Sequence, residues 1–233
     1  MEVNEMSAFK DCYVMQRGDI ERFADTLADG FSEYELFKYA CRGKYDRRKM
    51  SHFWAFNIVL NSPDAICIGK ADEIAWPESG NDPKIIADSK EANSVLIYIP
   101  PRNKEPGLLS YLKAGVVKMA LKTGLRRSIL LSRFDAEAQR VAQRYKSADD
   151  GYLFAFATRL DKQGQNYGKP LMDALLRYLD AKGQGCYLET LKPGNLGLYE
   201  RFSFRLKEQK TLKAGNLTMY AMYRPKNVQG NKK

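Results

Sequence analysis

Gln163-Gly-Gln-Asn-Tyr-Gly168 follows an apolar run, Tyr152 to Thr158, and leads into an amphipathic one. A glycine-containing turn that feeds a helix gathers unpaired amides and the positive end of the helix dipole at one spot, which suits a phosphate. An ordinary strand-to-helix connection uses the same residues, so a polyphosphate ligand is the first of two readings. Other reactive residue types offer less. His52, the only histidine, lies beside Phe53 and Trp54 and reads as structural. Cys12, Cys41, Cys67 and Cys186 lack the paired spacing of a zinc site or a redox dithiol. They read as reduced thiols of a cytoplasmic protein, and no metal site is expected.

Several elements must position that turn. Tyr152 to Thr158 has the length and composition of a strand buried on both faces. Pro170 marks a helix start, and the helix reaches about Lys182 with Leu171, Ala174, Leu175, Tyr178 and Leu179 on one face and Gly183 as its stop. Cys186 to Thr190 is a second strand, Lys192-Pro-Gly-Asn195 a turn, Leu196 to Phe202 a short helix, and Phe204 to Lys207 opens a further strand. Earlier in the chain, Tyr13 to Arg17 is a short strand and Asp19 can cap a helix bearing Phe23, Ala24, Leu27 and Phe31. Helices follow over Ser32 to Gly43 and Arg47 to Leu60. Ala65 to Gly69 and Ser94 to Ile99 are strands joined by a polar stretch containing Trp76-Pro77 and Asn81-Asp-Pro83. Pro100-Pro101 ends the second of these, since proline has no amide for a ladder, and two helices fill Gly107 to Lys146.

At 233 residues with 44% hydrophobic content, the chain suits one domain over 1–225 plus a basic tail, 226–233. No apolar run approaches the roughly 18 residues that a bilayer demands, and the acidic N-terminus is no secretory signal. The formal charge is +10. Nucleic-acid binding is disfavoured, because the cations cluster only at Lys44 to Lys49 and in the tail and no recognised motif accompanies them.

Three pieces carry a family resemblance. Gln163-Gly-Gln-Asn-Tyr-Gly168 is similar to the Q/R-x-x-G-x-G/A signature for coenzyme A, with Asn166 at the first glycine. Tyr187-Leu-Glu-Thr190 with Asn195-Leu-Gly-Leu-Tyr199-Glu-Arg-Phe-Ser-Phe204 resembles the segment "LE(T/A)…N…YE..GF", with Ser203 for glycine. Tyr98-Ile-Pro-Pro101 resembles the "W(L/I)PP" of a subgroup with a Pro-Pro helical insert before the coenzyme A strand. Together they resemble the GNAT superfamily of N-acetyltransferases, strongly over Tyr152 to Tyr223, with the coenzyme A core at 150–225.

The resemblance implies an α/β (α+β) fold with a central mixed, mostly antiparallel sheet flanked by helices, and a V-shaped splay of strands at the cofactor cleft. It implies acetyl-CoA as co-substrate and direct transfer of an acetyl (acyl) group to a primary amine in a ternary complex. The backbone of Phe156, Ala157 and Thr158 would pair with the pantetheine arm. Gln163, Gly164, Gln165, Asn166, Tyr167, Gly168 and Lys169 would hold the pyrophosphate, and the amide of Ala157 or Thr158 the oxyanion. Tyr199 matches the family's acid, with a pKa near that of the leaving thiol. Glu189 is a base acting through water or an anchor for the acceptor's ammonium. Asn195 contacts pantetheine or caps its helix. Aromatics of Arg47 to Leu60 and the insert would wall the acceptor, a small-molecule or peptide amine. A homodimer and a catalytically silent coenzyme A-binding or regulatory module both stay open.

Overall fold

The structure, a computed structural model, describes residues 7–72, 92–101, 106–213 and 215–227. The connection holding Trp76-Pro77 and Asn81-Asp-Pro83 and most of the basic tail lie outside them. In chain order the elements are β1 (Tyr13–Val14), α1 (Ile20–Gly30), α2 (Glu35–Ala40), α3 (Arg47–Asn61), β2 (Ile66–Lys70), β3 (Ser94–Ile99), α4 (Leu108–Lys113), α5 (Val116–Thr123), α6 (Leu125–Tyr145), β4 (Gly151–Thr158), α7 (Gly168–Lys182), β5 (Cys186–Thr190), α8 (Leu196–Arg201), β6 (Arg205–Thr211) and β7 (Thr218–Arg224).

The strands form one sheet in the order β1-β2-β3-β4-β5-β7-β6. All neighbours run antiparallel except β4 and β5, which are parallel and share only Gly151↔Cys186 and Tyr152↔Tyr187. β3 pairs with β4 from Ile99↔Tyr152 to Ser94↔Thr158, with a one-residue register shift between Ile97 and Tyr98 that leaves Phe154 without a partner. Beyond Tyr152, therefore, β4 keeps one partner and loses the other. This is the expected splay, and it puts the opening of a mixed sheet at the carboxyl ends of its parallel pair, where such sheets take ligands.

Both faces of the sheet are covered, which explains why β3 is buried at all six positions. On one face Phe23, Ala24 and Leu27 of α1 join Met50, Trp54 and Ile58 of α3 and Val141 of α6. On the other, α7 buries Leu171, Met172, Ala174, Leu175, Tyr178 and Leu179. Removing each such side chain from water contributes about 1.5–3 kcal/mol, which fixes the N-terminus of α7 beside β4.

Several boundaries differ from the sequence reading. α7 starts at Gly168, two residues before Pro170, because a proline anywhere in the first turn sacrifices no helical hydrogen bond. β1 has only two residues. The insert has three helices instead of two, divided at Gly115 and Gly124, whose φ values of +85° and +101° interrupt the helical path. Asp19 does not cap α1; its carboxylate accepts the Gln16 amide at 2.9 Å. A last strand, β7, was not read from the sequence and inserts between β5 and β6.

Ser203, which stands where the resembling segment has glycine, has φ +67° just after α8. The Phe204 amide then returns to the Tyr199 carbonyl at 3.1 Å and closes the helix. A side chain in that region costs about 1–2 kcal/mol, so Ser203→Gly should raise stability by about 1 kcal/mol and Tm by about 2–4 °C in a chain this long. Thermal unfolding checks it, and an unchanged or lower Tm would refute the strain.

Candidate active site

The splay opens into a cavity of about 380 Å³. Its floor is β4 and β5; Phe31 and Tyr34 after α1, with α2 and α3, supply one wall, the insert a second through Tyr111, Val116, Met119 and Ile129, and Tyr199 with Asn195 a third. Four expected site residues therefore meet here, Phe156, Glu189, Asn195 and Tyr199. The aromatics of α3 line the cavity and also pack the core: Trp54 is 5% exposed and lines the cavity, stacked on Phe31 at 4.9 Å between ring centroids. His52 is not among the lining residues.

Glu189 is half-buried at the base of the cavity. Its Oε1 accepts a hydrogen bond from the Tyr152 hydroxyl, while its Oε2 is shielded without a hydrogen-bond partner among the described residues. Burial pushes its carboxyl up to about 7, the Tyr152 hydrogen bond opposes that, and the Asp135 charge reinforces it. The Tyr187 hydroxyl is close enough to lower it slightly, yet it forms no hydrogen bond of good geometry. Such a carboxylate is poised near neutrality, the range a general base needs.

Tyr199 is buried and packs edge-on against Phe204 at 5.9 Å. Burial pushes its phenol well above the ordinary value, with Tyr34 and Glu189 adding to the shift. The near balance with a thiol expected from the sequence is thus not found without ligand. The phenol stays protonated and is placed to donate a hydrogen bond more readily than to surrender a proton.

Asn195 occupies the N-cap position of α8 but does not cap it. Its Nδ2 donates instead to Thr190 Oγ1 at 3.1 Å, and that hydroxyl lies 3.3 Å from the Tyr34 hydroxyl, which itself accepts the Leu191 amide at 2.5 Å. This network holds the end of β5 against α8. Sequence reasoning missed Tyr34, Asp135 and Tyr152, since nothing local in their surroundings marks them, and it gave Thr190 no role although the residue lies in the resembling segment.

The backbone of β4 alternates in direction, as strands must. The Ala157 carbonyl accepts from Ser94 Oγ at 3.1 Å, and the Arg159 amide donates to Asn93 at 2.9 Å, so these odd positions face β3. This corrects the expectation for Ala157. Phe156 and Thr158 face the opening, and the Thr158 carbonyl is already taken there by Gln163 Nε2 at 3.2 Å.

The turn beyond β4 lies next to the cavity, not within it. Gly164 and Asn166 have φ +77° and +67°, the left-handed conformation that asparagine tolerates better than most residues. The amides of Gly164, Gln165, Asn166 and Tyr167 donate to no backbone carbonyl among the described residues, whereas that of Gln163 reaches Leu160 at 3.4 Å. No side chain caps α7. A Cβ at Gly164 would meet nothing within 4 Å, while one at Gly168 would lie 2.7 Å from Phe156. Open, uncapped amides at a helix start fit a pyrophosphate. The side chains of the turn are occupied elsewhere: Tyr167 donates to Asp72, Gln165 Nε2 to the Asp161 carbonyl at 2.8 Å, and Lys169 Nζ pairs with Asp173 at 2.6 Å.

All four cysteines are free and buried, with burial pushing Cys12 up to about 11 and Cys67 and Cys186 up to about 12. Such thiols stay protonated and unreactive. Among the described residues no helix is long and apolar enough to cross a membrane.

Residues 117–204 match the acetyltransferase (GNAT) family. No curated protein matches the chain. Among solved structures, the chain is similar to a histone acetyltransferase HPA2 and related acetyltransferase from Corynebacterium glutamicum, at 14% identity and TM-score 0.56 over 94% of this chain and 98% of that one. It is similar at 12% identity and TM-score 0.56 to a Drosophila melanogaster polyamine N-acetyltransferase that forms N-acetylagmatine, over 91% and 97% of the two chains. An agmatine N-acetyltransferase follows at 13% identity and TM-score 0.53, over 92% and 99%. At such identities the structural likeness is one of fold.

Proposed function

We propose that this chain, whose residues 117–204 match the GNAT acetyltransferase family and whose fold is that of its GNAT structural neighbours, is an acetyl-CoA-dependent N-acetyltransferase that acts on a primary amine by direct attack in a ternary complex, in the cytoplasm. The observation that carries this reading is the junction of Glu189 and Tyr199 in one cavity that opens where β4 leaves β5, with uncapped amides at the start of α7 alongside.

Bound acetyl-CoA supplies an activated acyl thioester. The amides of Gly164 to Tyr167 and the first turn of α7 hold the phosphates, and Phe156, whose backbone faces the opening, pairs with the amide-bearing arm and receives the negative charge that an attacked carbonyl develops. Glu189 takes a proton from the acceptor's ammonium, directly or through a water, leaving a nucleophilic amine. Tyr199 donates a hydrogen bond to the departing thiolate, which takes up the second proton that the nitrogen sheds as the amide forms and the C–S bond breaks. Thr190 and Asn195 fix the end of β5 so that Glu189 keeps its place.

Calorimetric titration with acetyl-CoA tests the cofactor. Gly164→Asp keeps a residue that tolerates positive φ but sets a carboxylate among the amides. Repulsion of a phosphate a few ångströms away at a surface site amounts to about 1–4 kcal/mol. The acetyl-CoA Kd should therefore weaken at least about tenfold, while the side chain at positive φ lowers the Tm by only about 2–4 °C and leaves the chain folded. Equal affinity in the variant would remove the turn from the site, and no binding by the natural chain would sink the transferase reading.

A further inference from the structure

The cavity's chemistry is lopsided. Twelve of its lining residues are aromatic, Phe31, Trp54 and Phe154 among them, and its only charged lining side chains among the described residues are Asp135 and Glu189. No lysine or arginine lines it, in a chain of formal charge +10. A basic protein that presents only negative charge at one aromatic hollow selects a cation there.

The two carboxyl groups line the same cavity, and the Asp135 charge is felt at Glu189 and at its hydrogen-bond partner Tyr152. They therefore serve one ammonium group, not two well-separated ones. The rest of the wall is a continuous set of rings. Trp54 lies between Phe31, stacked at 4.9 Å, and Phe154, edge-on at 6.3 Å, and Phe53 meets Trp54 edge-on at 5.3 Å. A second ammonium directed at this wall would lose its water with no carboxylate to pair it, whereas an aromatic ring would gain both burial and edge-to-face contacts. A volume of about 380 Å³ falls within the range that small-molecule ligands occupy.

We infer that the acceptor is a monocationic primary amine with an aromatic body, an arylalkylamine, whose ammonium lies between Asp135 and Glu189 and whose ring enters the Phe31–Trp54–Phe154 set. The inference rests on the acetyltransferase reading of the same site and narrows it to a substrate class. It also departs from the agmatine and polyamine of the structural neighbours. Asp135, on α6 at the exposed edge of the cavity, acts as the residue that chooses the cation, and Glu189 as the one that deprotonates it.

Thiol release from acetyl-CoA by the full chain, with 2-phenylethylamine and putrescine compared, tests this. A kcat/KM at least tenfold higher for 2-phenylethylamine is expected; equal values or a preference for putrescine overturn the inference and leave the transferase reading intact. Asp135→Asn should raise the KM for 2-phenylethylamine about three- to tenfold and leave that for acetyl-CoA unmoved, and an unmoved amine KM overturns the placement. If no amine releases thiol, the transferase reading falls, and binding decides the inference separately. In a Trp76→Phe background Trp54 is the sole tryptophan; quenching of its fluorescence by 2-phenylethylamine but not by putrescine supports the cavity's selectivity, and no quenching refutes it.

Discussion

Glu189→Gln should lower kcat/KM for the amine about 100-fold at pH 7, the lower end of what a lost general base removes, and should flatten the pH profile. In the natural chain the rate should climb with pH through about 7, where burial places the Glu189 carboxyl, because only the carboxylate accepts a proton. The variant, with nothing to ionise there, should lose that limb. Its stability should change in the opposite sense. A carboxyl whose folded pKa is raised binds protons more tightly when folded, so its favourable contribution is complete below the unfolded value near 4.5 and disappears as pH rises through about 7. The natural chain should therefore lose stability between these values and level off above. Glutamine has no such loss, and should leave the variant more stable at pH 8 by about 2 kcal/mol, a figure kept below the full 1.4 kcal/mol per unit because Glu189 is half-buried. Rates and melting temperatures at pH 5 and pH 8 check both halves. Activity retained in the variant, with the neutral-pH limb intact, would take the proton away from Glu189.

Gly151→Ala should unfold the chain more severely than any cavity substitution. A Cβ there would fall 1.9 Å from the Tyr98 hydroxyl oxygen and 2.2 Å from the ring carbon that bears it. Tyr98 has nowhere to go: it is fully buried, its hydroxyl donates to Gln184 Oε1 at 3.3 Å, and its ring meets Tyr178 at 5.8 Å. Overpacking in a core costs about 1–3 kcal/mol and sometimes more. Here a rigid, hydrogen-bonded ring must be displaced, so a loss of at least 3 kcal/mol and a Tm lower by about 10 °C are expected for a chain of this size. Chemical denaturation measures it; a loss below 1 kcal/mol would show that the Tyr98 ring shifts freely.

Much of the site's lower half is legible in the sequence, since it is written locally. Glycine at 164 and asparagine at 166 announce left-handed backbone, α7 declares its buried face by spacing, and Glu189 and Tyr199 sit in a segment whose order resembles a known one. The acceptor side is not written locally. Phe53, Trp54 and Phe56 share a helix whose apolar stripe looks the same whether it faces a core or a hollow. Asp135 is one acid among many on α6, and Tyr152 one aromatic in a strand full of them; only the fold brings them to Glu189. The direction of the Ala157 backbone depends on the β3 register, which composition does not encode. Asn195, read as a helix cap or a pantetheine contact, does not cap its helix, because Thr190 offers its amide a nearer partner.

The seam between β4 and β5 is two residue pairs long, and an extended, amide-bearing arm lying in the gap beyond it would complete the sheet as a transient eighth strand. Exchange with heavy water would make that visible. The Phe156 amide, open in the free chain, should exchange quickly and then slow sharply once the gap is filled, while Ala157, turned toward β3, should stay slow throughout. An even slowing at both positions would mean general tightening instead of strand completion. Filling of the gap would also tie the half of the sheet that carries the β1 to β4 wall to the half that carries Glu189, so that acceptor walls and proton-handling groups become one rigid body only when the acyl donor is present.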